Sequence, residues 1–168
     1  LKNGKVIATE SFNMGAVRLL KLLEGSRTRE PEFNRMVEEY ADVAQRHIMD
    51  KFKGTPPSLC VGTGGNLDQL GSLRRTLLNA KDADSFVRRD LERIIHILKK
   101  TSYEDRVRKF GLRPDRADVI LPAAIVVEKL IRSAGVHRVW TPGVGLKDGL
   151  LRDMAAELKT GHVSLNHA

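Results

Sequence analysis

Apolar positions along this chain recur at several different spacings. Val6, Ile7 and Ala8 follow a turn-like Lys2, Asn3, Gly4, Lys5 and form a short run that predicts a strand over Lys5–Glu10. Ser11–Leu23 starts extended and turns helical, with Val17, Leu20 and their neighbours Leu19 and Leu23 on one side. Beyond the polar loop Glu24–Arg29, Pro31 introduces Phe33, Met36, Val37, Tyr40, Val43, Ala44, His47 and Ile48. Their three-and-four spacing predicts an amphipathic helix ending before Gly54. Thr55, Pro56 and Pro57 break the chain, and Ser58–Val61 reads as a short strand buried on both faces. It runs straight into Gly62, Thr63, Gly64 and Gly65, after which Asn66 or Asp68 is expected to cap a helix carrying Leu67, Leu70, Leu73, Leu77 and Leu78.

The second half has the same grammar. A helix is expected to begin at Ala83–Ser85, with Val87, Leu91, Ile94, Ile95 and Leu98 facing inward. A short helix over Tyr103–Phe110 is closed by Gly111. Pro114 opens the most apolar helix, whose Val119, Ile120, Ala123, Ala124, Val127, Leu130 and Ile131 predict a central position; Pro122 predicts a kink or a late start, and Gly135 a stop. His137–Thr141 is a second short strand, Pro142–Gly145 a second glycine-bearing turn, and Leu146–Leu158 a last helix expected to turn Leu150, Leu151, Met154 and Leu158 inward. Strands alternating with helices point to an α/β fold.

No run approaches 18 apolar residues, so the pattern predicts a chain without membrane spans, and cytoplasmic localisation is the expectation. A single cysteine, Cys60, sits between Leu59 and Val61 and reads as a small core hydrophobe. Net charge is +8, and residues 74–113 hold twelve Lys and Arg against six Asp and Glu. That quarter is either a solvated helix face or a surface for polyanions. Tyr103, Phe110 and Phe86 do not interleave with it as the stacking platform of a single-strand binder would. The chain opens on Leu1 in what reads as the middle of a hairpin, so a first strand is expected to be missing.

Candidate chemistry concentrates at the glycine turns. Backbone N–H groups of a tight turn at a helix start converge on one point, and the helix dipole adds positive potential there, so Gly62, Thr63, Gly64, Gly65 and Asn66 are candidate phosphate ligands. The competing reading is a turn that merely lets strand and helix pack closely. The lysine of a Walker A loop is absent, as is the third glycine of a dinucleotide fingerprint, where Leu67 stands. Two such turns after two parallel-type strands favour a shared crevice at the strands' carboxyl ends. Arg116, between Asp115 and Asp118 at a helix start, is either a salt-bridged residue or a bidentate phosphate ligand. His47, His96, His137, His162 and His167 lack metal-ligand spacing, and no metal site is assigned.

Four stretches in order carry a resemblance: Ser11-Phe12-Asn13-Met14-Gly15-Ala16-Val17-Arg18-Leu19, Val61-Gly62-Thr63-Gly64-Gly65-Asn66, Gly111-Leu112-Arg113-Pro114-Asp115-Arg116-Ala117-Asp118-Val119-Ile120, and Gly145-Leu146-Lys147-Asp148-Gly149-Leu150-Leu151. Together, over roughly residues 5–153, they resemble the second domain of the exopolyphosphatase and guanosine pentaphosphate phosphohydrolase (Ppx/GppA) family, part of the actin-like ATPase superfamily. The resemblance implies a ribonuclease H-like domain with a mixed sheet flanked by helices over residues 1–159, and a tail or linker start over 160–168. It implies a cleft shared with the protein's own N-terminal domain, Mg²⁺ in the intact enzyme but no cofactor assignable to this chain, and release of terminal phosphate from inorganic polyphosphate or guanosine pentaphosphate. Homodimerisation is left open, and no membrane partner is expected.

By the same resemblance, Gly62–Asn66 corresponds to the nucleotide-side glycine turn, Arg116 to an arginine facing the cleft, and Ala117–Ile131 to the helix connecting the domains. Arg18 matches the arginine of the family's Gly-Ala-Val-Arg-Leu stretch. Asn66, Lys147-Asp148 and Pro142-Gly143 depart from the usual small residue or threonine, Arg-Glu pair and Ser-Asp-Gly-like turn, which leaves substrate preference open. No catalytic residue is assigned: the family's first phosphate loop, catalytic glutamate and Asp-Gly-Gly-Gly-Ser loop would precede Leu1, and the chain alone is expected to be inactive. The alternatives are a basic nucleic-acid-binding module and a non-hydrolase member of the superfamily.

Overall fold

The computed structural model describes residues 57–160 apart from 83, together with residues 6, 9 and 11 and helical residues 35–39, 41–43 and 45–46. The strand expected over Lys5–Glu10 is represented by Val6 and Thr9, neither in a strand. The helix expected over Ser11–Leu23, with Arg18, lies outside the described residues apart from Ser11, as do His47, the helix end before Gly54 and the tail after Thr160.

In chain order the elements are β1 (Cys60–Val61), α1 (Gly65–Leu78), β2 (Ser85–Val87), α2 (Arg88–Lys99), α3 (Tyr103–Phe110), α4 (Pro114–Ala117), α5 (Ile120–Ser133), β3 (Arg138–Trp140) and α6 (Leu146–Thr160). The sheet is mixed, as expected. β3 is its middle strand, parallel to β1 with Cys60 opposite Val139 and Val61 opposite Trp140, and antiparallel to β2 with Phe86 opposite Val139.

That register explains the burial. The row Cys60, Val139, Phe86 faces the helices, with Val139 and Phe86 fully buried, whereas Val61 and Trp140 in the next row are about half exposed. Among the described residues the expected strand with two buried faces is thus an edge strand with one, and Leu59 before it is exposed. A continuous apolar run cannot distinguish the two cases, because it has no polar alternation to reveal which side meets solvent.

Helix α5 lies at the centre, packed on α1 and α2, with Ile120, Leu121, Ala124, Ile125 and Ile131 buried. Leu70, Leu73, Leu91, Ile94 and Leu98 complete the core, and Val37 from the preceding helical residues joins it. On that preceding segment Val37 and Ala41 are buried while Val43 is exposed. Lys129 of α5 ties the segment down by donating to the Asp42 carboxylate and to the Glu38 carbonyl, the latter at 3.1 Å.

Pro122 falls in the first turn of α5, where its missing N–H removes no helical bond, so the result is a late start and not a kink. Pro114 instead opens α4, a separate single turn. At the other end Gly135, with φ 66°, lets Val136 N–H donate to the Ile131 carbonyl and Gly135 N–H to the Arg132 carbonyl, which closes α5 as a Schellman motif does.

Two further expectations are corrected. Ser85–Val87, expected to start a helix, is strand β2: Thr141 N–H donates to the Asp84 carbonyl and the segment pairs with β3, so sheet pairing overrides the apolar helical spacing of Val87. Helix α2 then begins at Arg88, with Val87 N–H donating to the Asp90 carboxylate. In α6 the side expected to face inward, Leu150, Leu151, Met154 and Leu158, is exposed, along with Leu146. The stripe exists in the sequence, but no other described element covers it.

Candidate phosphate site

The parallel pairing of β1 and β3 brings both glycine turns to one edge of the sheet. Both strands end there, at Val61 and Trp140, and Gly62 N–H donates to the Trp140 carbonyl at 2.7 Å, fastening the first turn to the strand that feeds the second.

Beyond that bond the first turn is shaped by Gly64, whose φ of 99° and ψ of 159° belong to a region essentially restricted to glycine. Gly64 is the N-cap of α1, and its carbonyl accepts from Leu67 and Asp68 N–H at 2.9 and 3.2 Å. Asn66 and Asp68, expected as caps, therefore lie inside the first turn. A glycine N-cap brings no side chain to the helix start, and α1 has no side-chain cap. The N–H groups of Gly65 and Asn66, in the first turn, have no intrahelical acceptor and carry the positive end of the dipole. The start of α6 differs: there the Asp148 carboxylate accepts from Gly145 N–H at 2.7 Å, whereas Asp68, in the first turn of α1, makes no such cap.

Arg116 comes to the uncapped end from far along the chain. Its Nη1 donates to Asn66 Oδ1 at 3.0 Å, and a Cβ on Gly65 would stand 3.0 Å from Nη2. A side chain at position 65 would therefore press on the guanidinium. Arg116 is about one-third exposed, and its Nε lies 3.8 Å from Asp115. Asp115 is at the same time gripped by Arg113 through both oxygens, at 3.0 and 3.2 Å, which offsets its charge beside Arg116. Of the six sequence candidates, the structure thus brings Gly65, Asn66 and Arg116 into contact, with Gly62 and Gly64 shaping the turn and Thr63 exposed on it.

Of the twelve basic residues of this quarter, five besides Arg113 meet a carboxylate. Arg74 bridges Asp82 and Asp90 at 2.8 and 2.6 Å, Arg88 meets Glu92, Lys99 meets Glu38, and Arg108 and Lys109 share Asp105. The Lys109 hydrogen bond holds the Asp105 carboxyl below the usual carboxylate range, as the Arg74 bond does for Asp82. Cys60 is half-buried, and burial pushes its thiol pKa up, which agrees with a packed rather than a reactive sulfur. Among the described residues no three His, Cys, Asp or Glu side chains are grouped as metal ligands would be, and no helix is long and apolar enough to cross a membrane.

Sequence reasoning missed Arg106. It is 4% exposed, and its guanidinium donates to the Leu98 carbonyl at 2.8 Å and to the Ala117 carbonyl at 3.3 Å, next to Arg116. The signal available was helical phase: Val107 and Phe110 face the core, which places Arg106 on the same inner side of α3.

Comparison with known proteins agrees with this architecture. The model of the Ppx/GppA phosphatase family matches residues 1–158. An exopolyphosphatase from Cytophaga hutchinsonii ATCC 33406 aligns with a TM-score of 0.74 at 21% identity, covering 91% of this chain and 51% of that one. The Aquifex aeolicus member of the Ppx/GppA protein family aligns with a TM-score of 0.72 at 20% identity, covering 98% of this chain and 51% of that one. These likenesses establish the fold, and this chain spans about half the length of either structure. Comparison with curated proteins gave no match.

Proposed function

Because this chain belongs to the Ppx/GppA phosphatase family, we propose that it forms one wall of a phosphate cleft in a phosphohydrolase that releases terminal phosphate from inorganic polyphosphate or guanosine pentaphosphate. One observation supports this reading above the others: a partly exposed arginine seated on a helix start that no side chain caps, at the carboxyl edge of a parallel strand pair. The Gly65 and Asn66 N–H groups and the Arg116 guanidinium are donors without acceptor capacity, so the ligand they suit is an oxyanion.

Phosphoryl transfer asks a protein mainly to position the chain and to neutralise charge spreading over the equatorial oxygens. Arg116 supplies a positive charge, and its fork can hold two oxygens of one phosphoryl group. Asn66 orients the fork through Nη1 and leaves the remaining N–H groups for the ligand. The turn binds and orients; the attacking water's base and the Mg²⁺ belong, by the family resemblance, to the intact protein. The 168-residue chain alone is accordingly proposed to be inactive.

The test is Mg²⁺-dependent phosphate release from polyphosphate and from guanosine pentaphosphate by the full-length gene product, with this chain and the full-length R116A variant beside it. Release by the full-length protein only, reduced about tenfold or more in kcat/KM by R116A, is the expected result; one charge-assisted hydrogen bond is worth roughly that factor. Full-length protein that is folded yet releases phosphate from neither substrate refutes the hydrolase reading. Release unaffected by R116A refutes the site.

A further inference from the structure

Arg106 holds the loop that carries Arg116 at both of its ends. Where the loop begins, the Arg106 carbonyl accepts from Gly111 N–H and from Leu112 N–H, the latter at 3.3 Å. Where it ends, the Arg106 guanidinium donates to the Ala117 carbonyl at 3.3 Å. A second donor of the same group reaches the Leu98 carbonyl at 2.8 Å, which anchors the clamp to the last turn of α2, itself fixed in the core by Leu91, Ile94 and Leu98. Between the clamped ends, Arg116 N–H and Ala117 N–H both donate to the Arg113 carbonyl, so the loop is one tight turn with little freedom of its own.

The burial of this cation is costly. Removing a guanidinium from water is unfavourable by several kcal/mol unless its donors find acceptors, and an apolar side chain of similar volume would fill the same space without that cost. What an apolar side chain could not do is satisfy the Ala117 carbonyl and tie it to the Leu98 carbonyl, which already accepts from Thr101 N–H at 3.2 Å, so registering two elements against each other. The residue whose placement depends on that registration is Arg116, one position before Ala117, with its Nη1 3.0 Å from Asn66.

We propose that Arg106 is a positioning residue for the phosphate site: by clamping the Gly111–Ala117 loop at both ends, it sets where the Arg116 guanidinium stands relative to Asn66 and Gly65. The proposal rests on the phosphate-site reading of Arg116. It makes a demand that a purely structural role does not, namely that the effect of losing Arg106 on substrate binding passes through Arg116.

The experiment is steady-state phosphate release from inorganic polyphosphate by the full-length protein, comparing wild type, R116A, R106Q, R106K and the double variants R106Q/R116A and R106K/R116A, each assayed well below its melting temperature. R116A is expected to raise KM about tenfold. R106Q is expected to raise KM severalfold and R106K less, because lysine keeps the charge and one of the two carbonyl bonds. Each double variant should match R116A within about twofold, the signature of two residues acting on one interaction. Should R106Q fold too poorly to assay, R106K with its double variant carries the same comparison. If R116A raises KM but the Arg106 variants lower only the melting temperature, or raise KM further in the R116A background, the positioning role is wrong and the site reading survives. If R116A leaves KM unchanged, the site reading falls first and the positioning role with it.

Discussion

Replacing Gly64 by alanine isolates the backbone requirement of the turn. At φ 99° and ψ 159° an L-residue is strained, and such strained residues cost about 1–3 kcal/mol. A Cβ at this position would meet nothing within 4 Å, so no clash contributes and the penalty is conformational alone. Alanine also narrows the unfolded ensemble by about 0.4–1 kcal/mol, which partly offsets the strain. The net loss lies between zero and about 2.6 kcal/mol, centred near ~1.3 kcal/mol, or roughly 3–5 °C in Tm for a domain of this size. Gly149→Ala is the matched control. It too meets nothing within 4 Å, but it lies inside α6, where alanine gains about 0.5–1 kcal/mol over glycine. Differential scanning calorimetry of the two full-length variants should therefore move in opposite directions from the same chemical change. A Gly64→Ala protein that melts at or above wild type would show that the turn is not held in this conformation, and the argument for open N–H groups at the start of α1 would go with it.

The remaining predictions concern titration and reactivity. The Asp82 carboxyl is held low by the hydrogen bond from Arg74, so its contribution to stability is present above the unfolded carboxylate pKa, about 3.9, and is lost as pH falls through the lower folded value. Arg74→Met should flatten the acid limb of a Tm-against-pH curve there, and an unchanged limb would mean the pair contributes nothing. Asp118 runs the other way: burial raises its pKa, partly offset by the Arg106 charge, so its contribution is present below about 3.9 and is lost as pH rises through the raised folded value. Asp118 as a whole is exposed, so water screens most of that penalty and Asp118→Asn should raise Tm at neutral pH only slightly, whereas a lower Tm would count against desolvation as the dominant cause. Cys60 should react with a thiol reagent at pH 8 more slowly than a free cysteine, because fewer of its molecules are thiolate; an equal rate in the folded protein would refute the packed reading.

Elements whose signals are local were legible from the chain. α3 begins where Ser102 accepts from Asp105 N–H and ends at Gly111 with φ 66°, the limits that Tyr103, Phe110 and the glycine imply. The late start of α5 is one of the two outcomes that Pro122 implied, whereas Pro114, expected to open that helix, opens the separate turn α4. What failed was whatever depended on a distant partner. β2 was hidden because Phe86 takes its strand identity from Val139, and the apolar side of α6 was assigned to a core because amphipathicity says that a face seeks cover and not where that cover comes from. At the site, the glycine turn and Arg116 could each be picked out as anion-binding types. Their contact could not, since Arg116 and Asn66 lie on separate helices brought together by the packing of α1 against α5. Arg106 was still less visible, because its partners are backbone carbonyls, which leave no mark on side-chain pattern.

The position of β3 in the middle of the sheet sets an order of events during folding. Among the described residues β1 pairs with β3, which comes after α1 to α5 in the chain. Loop closure over that span is slow compared with helix formation, so the helices are expected to gather first and the sheet to close late. The glycine turn leads from β1 into α1, and it is fastened to the sheet by the bond from Gly62 N–H to the Trp140 carbonyl at the far end of β3. An emerging chain that has collapsed around α5 would thus already bring Arg116 to Asn66, while the glycine turn is fastened to the sheet only when β3 docks.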